Sequence, residues 1–310
     1  MAISRHEAVP RAAEREPTAS PVAARQGARW RAARVTSWTL VPLALLASLA
    51  GLLVEDLYTG PASVEEMLRG YDLVTLTLAA PALALSMLWA GQGAVRAHLV
   101  WVGVLAYFVY TYALYVFGTP FNDAFLMHTA VFGVSVFALV LAVSALDVVG
   151  VAERLAGRTP RRLISGILGL LAVGLGGMWI YYSAHNAVTA DLPPGSALVE
   201  PEIIVHLGIV LDLALLVPAY VLAAVLLWRG AGWGYVMSAL VLVSGTLHQI
   251  SYMVALLFQA AADVPGAVAF DPFEPVIALL FALATALLLR GAGRTGRRAV
   301  TRRRAGTAMR

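Results

Sequence analysis

Eight long apolar segments, separated by shorter polar stretches, limit what this chain can fold into. A helix needs about 20 apolar residues to cross roughly 30 Å of hydrocarbon. The candidates are Val35–Val54, Leu73–Gln92, His98–Phe117, Ala124–Val149, Leu163–Ser183, Ile203–Trp228, Gly234–Phe258 and Pro275–Arg290. Of the 310 residues, 60% are hydrophobic and 13% charged, whereas soluble domains have about 25% charged residues. We therefore predict an all-α membrane protein, a bundle of eight transmembrane helices, and exclude a soluble enzyme.

Arginine predicts the orientation of these helices. All 22 basic residues are Arg, and all except Arg69 fall at the two termini or in alternate loops. Because cytoplasmic loops are enriched in basic residues, we predict that both termini lie in the cytoplasm. Heavy use of Ala, Val, Leu, Gly and Arg is associated with GC-rich bacterial genomes, so we expect a bacterial plasma-membrane protein. Most acidic residues fall in the opposite loops, where they either favour cations or simply keep those loops solvated.

The chain divides into three predicted regions. Residues 1–34 resemble a disordered, Arg-rich cytoplasmic tail, residues 35–290 form the transmembrane domain, and residues 291–310 form a basic tail. Anionic lipid is the simpler expected partner of these tails, and nucleic acid is not expected. Between the first two segments, Ser63 and Glu66 match a capping box, which predicts a short surface helix.

The two halves of the domain share a pattern. Pro81 and Trp89 in the second segment, and Pro218 and Trp228 in the sixth, each precede a turn that contains Gly. This pattern suggests two parallel four-helix repeats.

One acidic residue lies deep within a predicted helix. Asp212 is about nine residues into the sixth segment, which corresponds to about 13 Å at 1.5 Å per residue. His248 lies at a similar depth in the seventh segment, and the short turn between the segments predicts an Asp212–His248 contact. Ser244 and Tyr252 share a helix face with His248, and Tyr107 and Thr111 form a similar polar face on the third segment. These residues form a candidate proton, ion or substrate pocket, although Asp212 and His248 could instead only fix helix packing.

Two histidines near the acidic face offer a different interpretation. His128 and His206 are each about one turn into their helices, and imidazole suits haem, Zn or Cu. We therefore keep a haem or divalent-metal site as an alternative. Each histidine could instead be an ordinary hydrogen-bonded residue at the membrane interface. The aromatic residues near helix ends are expected to form an interfacial belt (Trp101, Trp179, Tyr182 and Trp233).

Glycines in the fifth segment are expected to allow close helix packing (Gly166, Gly169, Gly174, Gly176 and Gly177). No catalytic motif such as HExxH or GxSxG occurs, so no catalytic residue is assigned and an enzyme is the less favoured class.

Two stretches of the chain resemble a loose group of multi-pass bacterial membrane proteins. They are YVFGTPFN at Tyr115–Asn122, and LDLALLVP at Leu211–Pro218 running on to Trp233-Gly234-Tyr235. The resemblance implies a membrane protein without implying an activity. It adds Asn122 to the candidate pocket and gives Asp212 further weight.

Three functions remain open on this basis. The first is proton-linked transport of a small solute or ion through an outward-facing polar pocket around Asp212. The second is a haem- or metal-binding membrane redox protein or enzyme. The third is a non-catalytic membrane sensor or assembly factor, which needs no pocket.

Overall fold

The computed structural model describes residues 21–191 and 196–291. Its spanning helices, numbered in chain order, are α1 Pro21–Leu53, α2 Ala62–Ala90, α3 Val95–Gly118, α4 Phe125–Ser144, α5 Arg161–Thr189, α6 Glu202–Trp228, α7 Gly232–Ala261 and α8 Phe273–Gly291. A short helix, Val148–Leu155, lies between α4 and α5. The prediction of an eight-helix, all-α fold is confirmed, and the described ranges contain no strand.

The helices present large apolar side chains outward. Leu126, Val173 and Leu279 are each more than two-thirds exposed. Such a surface is stable against lipid but costly in water. A helix also satisfies its own backbone hydrogen bonds, as hydrocarbon requires. The chain is therefore a multi-pass membrane protein in contact with a lipid bilayer.

The two ends of the bundle differ in charge. We call one end the acid-rich face; its described loop residues are 54–61, 119–124, 190–191, 196–201 and 262–272. We call the other end the arginine-rich face, where residues 91–94, 145–160 and 229–231 connect the helices. Helix α1 begins and α8 ends at this arginine-rich face.

Each half of the bundle is a closed group of four helices. In the first half, α1 contacts α2 and α4, and α3 contacts the same two helices. In the second half, α5 contacts α6 and α8, and α7 contacts the same two. Helix α7 also packs against α2 and α3, so these three helices join the halves.

Both α2 and α6 contain a wider, π-helical turn shortly before a proline. The turn is Thr75–Ala79 in α2 and Asp212–Leu216 in α6, two residues before Pro81 and Pro218 respectively. Proline has no N–H to give to the preceding turn and its ring crowds that turn. A π turn accommodates this disturbance and leaves the local backbone less regular, as is common at functional sites.

Helix α1 begins earlier than predicted. The structure shows α1 starting at Pro21, so the boundary at residue 34 for the disordered tail is wrong. The added turns are held by tertiary contacts: the Trp30 ring lies 4.3 Å from that of His98, and Gln26 donates a hydrogen bond to the Ala145 carbonyl. Residues 1–20 and 292–310 of the predicted tails lie outside the described residues.

Helix α2 also begins earlier, at Ala62 and not at Leu73. The segment predicted as a separate surface helix is the first part of this span. Its apolar residues Val64, Met67, Leu68 and Tyr71 are all buried, because α2 packs there against α7. The change is important because it moves Asp72 from a loop into the membrane-spanning part of the chain.

Candidate functional site

Asp212 is buried at the first residue of the π turn in α6. It lies ten residues after the start of α6 at Glu202, or about 15 Å along the helix. Tyr110 on α3 donates a hydrogen bond of 2.8 Å to Oδ1, and Trp179 on α5 donates one of 2.8 Å to Oδ2. The carboxyl group therefore ties three helices together through two neutral donors.

His248 approaches Asp212 only through Tyr110. The Tyr110 and His248 rings are 4.8 Å apart, edge to face, whereas the two side chains predicted to touch form no hydrogen bond within the described ranges. His248 also meets the Tyr71 ring at 6.0 Å, and its Nδ1 is buried without a hydrogen-bond partner in the described structure. Tyr110 therefore lies between the two predicted partners, in contact with both Asp212 and His248.

Tyr252 serves a different part of this region. Its hydroxyl accepts a hydrogen bond from the backbone N–H of Leu198, in the segment 196–201 that precedes α6. Gln259 lies about two helical turns further along α7. Its side chain accepts a hydrogen bond from the Val199 N–H and donates to the Val199 carbonyl and to the Ser63 carbonyl of α2. These bonds hold the segment 196–201 against α7 on the acid-rich side of Asp212.

Glu200 lies in that segment, at the acid-rich face, and interacts electrostatically with Asp212. Burial raises the pKa of Glu200 from 4.5 to about 7, and the Asp212 carboxylate adds to the increase. A hydrogen bond of 2.9 Å from the Ser196 hydroxyl partly opposes it. Glu200 is therefore an acid that can change charge near neutral pH. In the sequence, Glu200 is only one of several acidic residues in the predicted outer loops.

The remaining predicted pocket residues divide between two environments. Tyr107 and Thr111 are fully buried on α3, where the Tyr107 hydroxyl hydrogen-bonds to Ser251 at 2.9 Å and to Thr75 at 3.3 Å. Tyr107 thus links α2, α3 and α7, whereas the Thr111 hydroxyl has no hydrogen-bond partner in the described structure. Ser244 is buried on α7, and no hydrogen bond joins it to Asp212 in the described part of the chain.

Asn122 belongs to a local turn. Its side chain donates to the Pro120 carbonyl and accepts from the Ala124 N–H, directly before α4. Both polar ends of the amide are occupied in this way, so the structure gives Asn122 a role in the turn and does not connect it with Asp212.

The two histidines proposed as metal ligands have opposite environments. His128 is fully buried on α4, whereas His206 is exposed on α6. Among the described residues, no group of three or more His, Cys, Asp or Glu side chains could hold a metal ion. The geometry of the donors therefore does not support a metal site shared by His128 and His206.

Two tryptophans assigned to an interfacial belt have other roles. Trp179 is buried and donates to Asp212, and Trp101 is fully buried and donates to Ser37 at 3.0 Å. Burial of the indole ring with a specific acceptor for its N–H corrects the belt prediction for both residues. In contrast, Trp233 is 45% exposed.

A second buried carboxyl group was missed. Asp72 on α2 is fully buried and is hydrogen-bonded to the hydroxyls of Tyr58 and Tyr115. A spacing of eleven residues was the available signal, since Pro61 precedes Asp72 by the same interval by which Pro201 precedes Asp212. Both prolines directly precede the first residue of a spanning helix.

Comparison with protein-family models, curated proteins and solved structures gave no match. The function must therefore be argued from the site itself.

Proposed function

We propose that this protein carries out proton-linked transport of a small solute or ion, with Asp212 as the group that takes up and releases the proton. The observation that carries the proposal is the pairing of the buried Asp212 carboxyl with Tyr110 of α3 and Trp179 of α5. Within the described ranges Asp212 forms no ion pair. An ionisable group in this position is costly and is a functional candidate by default.

The donors make the contact between the halves sensitive to charge. Tyr110 belongs to the first four helices, and Trp179 and Asp212 to the second four. Hydrogen bonds to a carboxylate are stronger than those to a neutral acid. A proton on Asp212 would therefore weaken a link between the halves, which is the coupling that proton-driven movement requires.

The proton would reach Asp212 from the acid-rich face by way of Glu200. Glu200 interacts electrostatically with Asp212 and changes charge near neutral pH. The segment 196–201, which carries it, is fastened to α7 by Tyr252 and Gln259. We infer that this segment covers the outward-facing pocket and moves when solute enters.

Two parallel four-helix repeats remain the favoured description of the halves. The similar contacts within each half, the paired π turns and the paired Pro–Asp spacing support it. Transport by movement of one repeat against the other is common in transporters built from repeats.

The alternatives have less support. A haem or divalent-metal function has no shared donor set at His128 and His206. A sensor or assembly factor would use Asp212 for packing alone, and that outcome is distinguished by the transport experiment below.

The bacterial plasma membrane, with both termini cytoplasmic, remains the proposed location. Exposed Arg25, Arg29 and Arg31 on the first turns of α1 would then meet anionic headgroups at the cytoplasmic surface.

The experiment uses purified protein in liposomes that contain a pH-sensitive dye. Na⁺, K⁺, Mg²⁺, ammonium and a panel of amino acids are added one at a time, and the internal pH is followed. We expect at least one solute to drive proton flux through the unaltered protein. Asp212→Asn, which keeps the size of the side chain, should abolish that flux.

Asp263→Asn is the matched control, because Asp263 is an exposed acid in the loop 262–272. Its flux should equal that of the unaltered protein. The transport proposal is wrong if no solute drives proton flux, and the role of Asp212 is wrong if Asp212→Asn transports normally.

A further inference from the structure

Asp72 has a closely packed, largely aromatic environment. The Tyr115 hydroxyl oxygen lies 3.0 Å from Oδ1, and Tyr58 hydrogen-bonds to Oδ2. On the α1 side, Gly51 leaves no space, because a Cβ there would overlap Asp72 Oδ2. The titratable or charged groups around Asp72 are Tyr58 of the loop 54–61, Arg69 of α2, Tyr107, Tyr112 and Tyr115 of α3, and His128 of α4.

The hydrogen bonds of Tyr115 require one more hydrogen than the hydroxyl has. Its oxygen is 3.0 Å from the Leu68 carbonyl and 3.0 Å from Asp72 Oδ1. A tyrosine hydroxyl donates a single hydrogen, and a carbonyl can only accept. One hydrogen shared between two acceptors makes two weaker bonds. Two full hydrogen bonds form when the Asp72 carboxyl carries a proton and donates it to the tyrosine oxygen, which leaves the tyrosine hydrogen for the Leu68 carbonyl. The absence of an ion pair to Asp72 in the described ranges agrees with a neutral acid.

A buried imidazole without hydrogen bonds lies beside this acid. His128 is fully buried, and neither of its ring nitrogens has a hydrogen-bond partner in the described structure. Its ring is 4.8 Å from that of Tyr115 and 5.9 Å from that of Tyr58. Buried polar groups are rarely left unpaired, and those that are often have a functional reason.

The arrangement repeats that around Asp212. In each case the hydroxyl of a tyrosine of α3 hydrogen-bonds with Oδ1 of the aspartate, and the tyrosine ring meets a histidine ring at 4.8 Å. In each case a second neutral donor, Trp179 or Tyr58, binds Oδ2. The two buried acids therefore have similar surroundings.

Tyr58 separates the Asp72 group from the acid-rich face. It comes from the loop 54–61, is 4% exposed, and lies nearly parallel to the His128 ring, at an angle of 17°. The loop is held by Thr59, which donates to the Phe121 carbonyl at 2.8 Å. Burial raises the pKa of Tyr58 well above its usual value, so Tyr58 remains a neutral donor.

We propose that Asp72 is a second proton-binding site, occupied by a proton in this closed form and shielded from the acid-rich face by the Tyr58 side chain. Loss of the Tyr58 side chain therefore exposes a carboxyl group that carries a proton. This proposal does not depend on transport through Asp212.

The experiment uses dicyclohexylcarbodiimide on the full chain in liposomes, with peptide-resolved mass spectrometry. This apolar reagent adds only to protonated carboxyl groups, converting them to a stable acylurea. We expect little adduct on Asp72 in the unaltered protein, and a severalfold increase in Tyr58→Ala. Tyr181→Ala is the matched control, because Tyr181 is an exposed tyrosine in the last part of α5, and its adduct level should match that of the unaltered protein.

An Asp72 adduct that does not increase in folded Tyr58→Ala overturns the proposal. If that variant does not fold, the infrared absorption of neutral carboxyl groups at pH 7 decides instead. Asp72→Asn should remove one such band from the spectrum of the unaltered protein, and an unchanged spectrum overturns the proposal. Adducts on Asp72 and Asp212 fall on different peptides, so either site can fail while the other holds.

Discussion

At the scale of single residues, the two oxygens of Asp212 are bound by neutral groups, and this determines what each donor contributes. Tyr110 and Trp179 stabilise the carboxyl group without neutralising it. An arginine in either position would hold Asp212 permanently ionised. Neutral donors leave both charge states accessible, which a group that exchanges protons needs.

Tyr110→Phe should destabilise the protein by about 1–3 kcal/mol, because it leaves one buried carboxyl oxygen without its donor. Tyr235→Phe is the control, since Tyr235 is fully buried and its hydroxyl has no hydrogen-bond partner in the described structure. That change should be neutral or stabilising. Thermal unfolding in detergent measures both, and equal losses would show that the Tyr110 hydroxyl contributes nothing specific.

Glu200→Gln should change how stability depends on pH. The folded chain holds the Glu200 proton with a pKa of about 7, against 4.5 ordinarily, so between these values the folded state binds more protons than the unfolded state. Stability therefore falls as pH rises from about 4.5 to about 7, by at most roughly 3 kcal/mol at 1.36 kcal/mol per pKa unit. Gln cannot ionise, so the variant should gain on the unaltered protein across this interval. If the difference in stability between Glu200→Gln and the unaltered protein is the same at pH 4.5 and pH 8, the assignment is contradicted.

The sequence was informative for some site residues only. Asp212 could be selected because an acid nine residues inside an apolar segment is rare. The role of Trp179 could not, because an indole near a helix end looks the same whether it faces lipid or a carboxyl group on another helix. Contacts between distant helices have no local pattern in the sequence.

At the scale of helices, close packing depends on which glycines meet a neighbouring helix. Gly70 of α2 faces α7, and a Cβ there would lie 2.6 Å from the Ala255 Cα. In contrast, four of the five glycines of α5 expected to pack have open space around them. Gly176 alone in that group meets another helix, at Val217.

Gly70→Ala should therefore destabilise the protein by about 1–3 kcal/mol through overpacking. Gly174→Ala is the matched change on α5, where nothing lies within 4 Å of the added Cβ. It should be neutral or stabilising by up to about 1 kcal/mol, since Ala favours helix. Thermal unfolding tests the pair, and a larger loss for Gly174→Ala would contradict the described α2–α7 contact.

Hydropathy predicted the number of helices but not all of their ends. The first eleven residues of α2 contain Glu65, Glu66 and Arg69, whose charges lower the mean hydropathy of this segment. Its buried face is formed by Val64, Met67, Leu68 and Tyr71. The i, i+3, i+4, i+7 spacing of these four residues was the helical signal that an average over the window suppresses. This error concealed Asp72.

At the scale of the whole molecule, helix α3 of the first half supplies a tyrosine to each of the two buried acids. Tyr115 binds Asp72 in the first group, and Tyr110 binds Asp212 in the second. Both tyrosines therefore lie on one helix, Tyr115 within the π-helical turn Leu114–Gly118 that ends it. The repeat suggested by Pro, Trp and Gly in the sequence stays a prediction, now with the Pro–Asp spacing added to it.

The predicted orientation can be measured because the chain contains no cysteine. Ala262→Cys places a thiol at the acid-rich face, and Ala156→Cys places one at the arginine-rich face; both positions are exposed. In intact bacterial cells, a membrane-impermeant maleimide should label the first and not the second. Labelling of Ala156→Cys alone would invert the topology.

The central claim is that Asp212 exchanges a proton inside the bundle. The most direct measurement is the infrared difference spectrum of the liposome-embedded protein between acidic and alkaline buffer, for the unaltered protein and Asp212→Asn. We predict that the unaltered protein loses a neutral-carboxyl band as pH rises and that this component is missing in the variant. Identical difference spectra would contradict the claim and leave Asp212 as a structural link between helices.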